Sequence, residues 1–98
     1  MWKRIDSGVT IGQVGSENGV IVEDEEYKES CRITLEKCEK YYAITCGIYG
    51  AMAHTAFCDE NNSKQLYNAM KEELQVFIDK HTTMDEELEF YESFTRKY

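Results

Sequence analysis

The chain has 98 residues, in which 19 Asp and Glu outnumber 11 Lys and Arg and leave a formal net charge of −8. This acidity argues against binding to nucleic acid or to an anionic membrane surface, because both need a basic footprint, and it favours a basic protein partner. With 42% hydrophobic residues the chain is too apolar for a disordered acidic tail. The length fits a single α+β domain spanning residues 1–98.

The first predicted strand is Val9–Val14, a β-branched stretch interrupted at Gly12, where a bulge would fit. Gly15–Gly19 ends in Asn-Gly and predicts a turn. Extended structure resumes at Val20–Val22. It is expected to end in Glu23–Glu29, where five acids and one base favour a strand end and a solvated loop.

Two further stretches predict the rest of the sheet. Cys31–Lys37 alternates apolar and polar residues and is typical of a half-buried strand. From residue 41 to residue 58 there is no charged residue, which indicates two central strands covered on both faces, Tyr41–Cys46 and Ala51–Cys58. The bend between them is placed at Gly47–Gly50, and one long bent strand is the alternative. Glycines, tyrosines and His54 make this stretch a poor membrane span.

The C-terminal part predicts helices. Apolar residues recur at helical spacing from about Ser63 to His81. Thr83 and Glu86 form a capping box for a second helix. The apolar stripe of that helix consists of Met84, Leu88, Tyr91, Tyr98 and, at its edge, Phe94. The sequence therefore predicts an antiparallel β-meander of four to five strands followed by one or two helices packed on one face.

The composition favours binding over catalysis, because acids and tyrosines are abundant and no catalytic constellation stands out. The acids expected to steer a basic partner are Glu23, Asp24, Glu25, Glu26, Asp85, Glu86 and Glu89. The tyrosines expected to anchor it are Tyr41, Tyr42 and Tyr49. Because adjacent strand residues point to opposite faces, Tyr41 and Tyr42 cannot both lie under the helices.

A small enzyme or a metal site is the alternative. Its residues are Cys46, His54 and Cys58, with Cys31 or Cys38 as a possible fourth zinc ligand. Catalysis would need the Cys46 thiolate beside His54, oriented by Asp59. Buried thiols are the preferred interpretation, and we expect no metal, no cofactor and no enzymatic activity. A third interpretation is a self-associating homo-oligomer that pairs through a free sheet edge.

The segment Cys46–Thr55 (CGIYGAMAHT), followed by a helix, resembles small immunity proteins of bacterial polymorphic-toxin systems. These are acidic, cytosolic α+β domains that neutralise a toxin by covering it. The resemblance implies a toxin as the basic partner. No apolar run follows the basic start at Lys3 and Arg4, so we expect no signal peptide, a cytoplasmic location and reduced cysteines.

Overall fold

The computed structural model describes residues 1–98 and has an α+β fold, in which a five-stranded antiparallel sheet is followed by two helices. The strands are β1 (Trp2–Arg4), β2 (Val20–Tyr27), β3 (Cys31–Lys37), β4 (Tyr42–Ile48) and β5 (Met52–Cys58). The helices are α1 (Glu60–Asp79) and α2 (Met84–Lys97), and a short 3-10 helix covers Ile5–Gly8. Each strand pairs with the next one along the chain, so the order β1-β2-β3-β4-β5 confirms the predicted meander.

The strand registers place one set of alternate residues under the helices. In β3 and β4 these residues are Cys31, Ile33 and Leu35, which lie opposite Ile48, Cys46 and Ile44. All six are buried, and they form the sheet side of a core that the helices complete with Tyr67, Met70, Leu74, Phe77 and Phe94. The periodicity of residues 31–37 therefore predicts both the strand and its buried face.

The opposite side of the sheet, called the open face here, carries residues such as Thr34, Thr45 and Thr55. These three lie opposite one another across β3, β4 and β5. Part of the open face is covered by the connection between β1 and β2, residues 5–19. The backbone N–H groups of Glu17 and Gly19 donate to the buried Glu36 Oε1, at 3.1 and 3.2 Å. Glu36 therefore holds the connection against the sheet.

The predicted strand Val9–Val14 is wrong, and only Val14 forms an isolated bridge, with Val20. Left-handed backbone at Gly8 and Gly12 (φ +92° and +89°) bends this stretch into successive turns. The strand at the N-terminus, β1, had no signal in the sequence. The turn at residues 15–19 is confirmed, since the Gly15 N–H donates to the Gly19 carbonyl at 2.9 Å.

The acidic segment Glu23–Glu29 contains the end of β2, as predicted, but most of it is strand instead of loop, because β2 continues to Tyr27 and the turn begins at Lys28. The hairpin prediction for residues 41–58 is confirmed, but its turn lies at residues 49–51 instead of Gly47–Gly50. The expectation that both strands are central is wrong for β5, which is the last strand of the sheet.

Both C-terminal helices are confirmed with small changes in their ends. The first begins at Glu60, three residues before the predicted start, because the Asp59 carboxylate caps the Asn62 N–H at 2.9 Å. The second is preceded by the predicted capping box of Thr83 and Glu86. Neither helix is long and apolar enough to cross a membrane.

Candidate functional site

The acids of β2 that face the helices are bound to α1. Glu25 accepts hydrogen bonds from the Tyr67 hydroxyl at 2.8 Å and from Lys71 Nζ at 2.9 Å. Glu23 pairs with Lys64 Nζ at 3.5 Å. The predicted role of Glu23 and Glu25 in steering a partner therefore has little structural support, because their charges are largely compensated within the molecule.

Asp24 points to the other side of the sheet and is fully buried. Its carboxylate accepts hydrogen bonds from Arg32 Nε and Nη2 at 2.9 and 2.6 Å, and from the Thr34 hydroxyl at 3.0 Å. Burial alone would raise the pKa of Asp24, but the hydrogen bonds from Arg32 and Thr34 outweigh burial and hold that pKa below its usual value. Asp24 has no accessible surface in this fold, so its carboxylate acts within the sheet, where it binds Arg32 and Thr34.

The remaining acid of this run, Glu26, accepts a hydrogen bond from the Tyr49 hydroxyl at 2.7 Å. Tyr49 is half exposed in the turn between β4 and β5. Partial burial and the bond to Glu26 raise the pKa of the Tyr49 hydroxyl to about 12, so it is a neutral donor at physiological pH. Glu26 and Tyr49 therefore remain accessible together, as one polar pair.

The two adjacent tyrosines lie on opposite faces, as the alternation of a strand requires. Tyr42 is half-buried and packs against the core under the helices. Tyr41 is exposed and forms an edge-to-face pair with Phe57 of β5, with ring centroids 5.4 Å apart. Tyr41 and Phe57 thus present an exposed aromatic pair at the β5 side of the open face.

The acids predicted at the start of α2 are exposed, and none of Asp85, Glu86 and Glu89 forms an ion pair within the chain. Glu86 has a second role, because its side chain accepts from the Thr83 backbone N–H in the capping box. Glu86 also lines a groove between the two helices.

The acidic groove, as we call it, lies between α1 and α2 and has a volume of about 310 Å³. Its lining residues are Glu72, Glu73, Val76, Phe77, Lys80, Thr82, Glu86 and Phe90. The floor is aromatic, since the rings of Phe77 and Phe90 stack with centroids 4.1 Å apart. Val76 is half exposed beside it. Carboxylates on both helices thus surround an apolar floor.

Charge in the acidic groove is only partly compensated. Glu73 accepts from Lys97 Nζ at 2.8 Å and also from the Tyr98 hydroxyl. Glu72 and Glu86 have no cationic partner in the chain, and Lys80 is the only base in the lining. The arrangement suits a cationic side chain with an aliphatic stem, because the stem would cover the floor while the charge meets the rim.

Glu72 and Val76 are site residues that were not predicted from the sequence. Their spacing of four places both on one face of α1, which is a visible signal. Which face of α1 meets which face of α2 depends on the tertiary packing of Phe77 on Phe90. That packing has no local sequence signature.

The structure brings together only part of the alternative site. Cys46 and His54 lie directly opposite each other in the β4–β5 ladder, whereas Cys58 lies opposite Tyr42, four residues further along. Burial raises the pKa of the Cys46 thiol to about 12, which leaves it protonated at neutral pH. His54 packs edge-on against Phe94 with centroids 6.4 Å apart. No three Cys, His, Asp or Glu side chains lie together as metal ligands.

No family model, curated protein or solved structure matches this chain.

Proposed function

We propose that this chain is a non-enzymatic binding protein that docks a basic segment of a protein partner in the acidic groove. The observation that carries the proposal is the presence of two carboxylates without a cationic partner, Glu72 of α1 and Glu86 of α2, in the lining of a groove that also contains the stacked rings of Phe77 and Phe90. A lysine or arginine side chain fits both properties of this surface.

The distribution of charge supports a role in association. Six of the eleven basic residues are used in ion pairs within the chain, and this leaves most of the nineteen acids without a cationic partner. A surplus of this sign accelerates encounter with a basic partner and is weakened by salt. Asp85 and Glu89, exposed near the groove on α2, extend the acidic surface.

In its narrower form the proposal is an immunity-type inhibitor that covers a basic toxin in the cytoplasm of a bacterium. The resemblance of Cys46–Thr55 to such proteins supports this form, as do the acidic character and the α+β fold. Four free cysteines suit a reducing compartment. A basic toxin encoded beside this chain would be the natural candidate partner.

The first experiment is an NMR titration of the folded protein with a short synthetic peptide of lysine and leucine in an amphipathic pattern. We expect chemical-shift changes at Glu72, Val76 and Phe90. The variant Glu72→Lys should weaken binding by about tenfold or more, since it replaces an attractive charge by a repulsive one. Added salt should weaken binding of the parent protein in the same titration.

The matched control is Glu39→Lys, which makes the same change of charge at an exposed residue in the turn between β3 and β4. It should leave peptide binding within about twofold of the parent protein, because it lies far along the sheet from the groove. Equal weakening by both variants would mean that only net charge matters, and it would overturn the acidic groove as the site. Chemical-shift changes confined to residues outside the acidic groove would also overturn the groove as the binding site.

The narrower form has its own test. The basic product of a neighbouring gene should form a salt-sensitive complex with the parent protein, and co-expression should relieve its toxicity. Relief that persists with Glu72→Lys but is lost with changes elsewhere would contradict the groove.

A further inference from the structure

The outer edge of β5 has no partner in the fold. β5 is the last strand of the sheet, and it pairs only with β4. No main-chain or side-chain hydrogen bond from elsewhere in the chain reaches the outward N–H and C=O groups of Met52–Cys58. Because hydrogen bonding to β4 engages only alternate residues, the others present free groups to a further strand.

The two edges of the sheet differ in how well they are protected. The β1 edge is three residues long and carries Lys3 and Arg4, and short length and charge both discourage pairing. β5 is seven residues long, and Met52–Cys58 contains no charge and no proline. Two β5 edges can therefore meet without bringing like charges opposite each other, whereas two β1 edges would bring Lys3 and Arg4 together.

The side chains of β5 are complementary to those of a second, antiparallel β5. A two-fold axis through Thr55 places Phe57 opposite the small Ala53 of the other copy on the open face. On the helix side it places His54 opposite Ala56. Large residues thus meet small ones across the axis, which is the favourable arrangement for cross-strand pairs. Phe57 is 58% exposed in the single chain and would be covered by this pairing.

The helix beside β5 carries a second exposed apolar feature. On α2, Phe90 stacks on Phe77 of α1, and Phe94 packs against His54 of β5. Helical geometry turns Met84 and Leu88 to the flank of α2 that faces away from α1. They are 75% and 59% exposed.

Antiparallel pairing about an axis perpendicular to the sheet keeps the helices of both copies on one face. The α2 flank of each copy would therefore lie toward that of the other.

We propose that the chain forms a two-fold dimer in which the β5 strands pair antiparallel about Thr55 and make a continuous ten-stranded sheet. The flanks carrying Met84 and Leu88 meet above it. The acidic groove lies on the other side of α2 and stays open in this dimer. The dimer is therefore independent of the function proposed above, and either can fail without the other.

Light scattering coupled to size exclusion tests the dimer. The parent protein should have twice the 11.4 kDa mass of one chain. Thr55→Lys should give the mass of one chain, because it places two ammonium groups opposite each other at the axis. The control is Asn68→Lys, which adds the same charge at an exposed position of α1 and should remain dimeric.

Hydrogen exchange of the parent protein at high and low concentration gives a second measurement that needs no variant, in case Thr55→Lys does not fold. Amides of β5 should be better protected at high concentration, while those of β1 should not change. A parent protein with the mass of one chain at every concentration would overturn the proposal. So would a folded Thr55→Lys variant that stays dimeric, or β5 protection that is independent of concentration.

Discussion

Tyr67 of α1 donates a 2.8 Å hydrogen bond to Glu25 of β2, and this bond joins the first helix to the acidic strand beneath it. Tyr67 is buried, and burial together with the bond to Glu25 raises the pKa of its hydroxyl, so it remains a donor throughout the physiological range. Lys71 Nζ approaches the same carboxylate at 2.9 Å and balances its charge. An acid that the sequence suggests is free for a partner is thus an anchor between helix and sheet.

The first prediction concerns this anchor. Tyr67→Phe should lower the free energy of unfolding by about 1–2 kcal/mol, because Glu25 loses a buried hydrogen bond while the ring still fills its place. Urea denaturation measures the change. Tyr42→Phe is the control, since Tyr42 is half-buried and its hydroxyl makes no hydrogen bond within the chain, and it should change stability by less than about 0.5 kcal/mol. If both variants lowered the free energy of unfolding equally, the hydrogen bond from Tyr67 to Glu25 would contribute nothing to stability.

The second prediction concerns the dependence of stability on pH. The pKa of Asp24 is lower in the folded chain than its ordinary value, so Asp24 adds stability above about pH 4. That stability is lost as the pH falls through the folded pKa. Arg32→Gln should cost about 2–3 kcal/mol at neutral pH, somewhat less than for a fully buried pair because Arg32 is partly exposed.

Arg32→Gln should also change how steeply the free energy of unfolding falls with decreasing pH in the acid range. Without Arg32, burial dominates and raises the pKa of Asp24, so acid should destabilise the variant less than the parent protein. Arg96→Gln is the control, because both side chains of the Arg96–Glu92 ion pair are exposed to solvent and the pair therefore contributes little to stability. The measurement is the urea concentration at the unfolding midpoint, determined for the parent protein and both variants at several acid pH values. If the stability of Arg32→Gln depended on pH as steeply as that of the parent protein, Asp24 would not be the source of this pH dependence.

The third prediction concerns the close approach of Gly15 to Glu36. A Cβ atom at Gly15 would lie 2.4 Å from the carboxyl carbon of Glu36, which itself is held by two backbone N–H groups. Gly15→Ala should therefore cost about 1–3 kcal/mol and loosen the connection between β1 and β2. Ser16→Ala, one residue on and exposed, should be nearly neutral in thermal unfolding.

The fourth prediction concerns thiol reactivity. Burial raises the pKa of the Cys31 thiol to about 11 and that of Cys46 to about 12. Both should resist iodoacetamide in the folded protein at about pH 8, whereas Cys38 and Cys58 are half-buried and should react first. Peptide mass spectrometry identifies the modified residues. Rapid alkylation of Cys46 would contradict this prediction and would support the interpretation of Cys46 and His54 as a reactive pair.

Much of the fold could be predicted from the sequence wherever apolar and polar residues alternate visibly. Residues 31–37 alternate and form a strand with those bounds, and the capping box of Thr83 and Glu86 starts α2. The strand through Glu23–Tyr27 could not be predicted in this way, because both of its faces are acidic. The acids of this strand can be buried or half-buried because they pair with Arg32, Lys64 and Lys71. Lys64 and Lys71 are some forty residues away along the chain.

The candidate site was only partly predictable. Sequence reasoning selected Glu86 as an exposed acid, and it lies in the groove. The groove itself depends on the stacking of Phe77 on Phe90, a contact between two helices whose mutual orientation no single helix pattern specifies.

The strictly sequential order of the strands has a consequence for how the chain folds. Every pairing in the sheet joins neighbours along the chain, so loop closure costs little and each strand can dock on the one before it as it leaves the ribosome. The helices that cover the sheet are translated after all five strands. During synthesis the apolar faces of β3 to β5 therefore stay uncovered until α1 and α2 emerge, and in that interval the exposed apolar surface favours aggregation of the nascent chain.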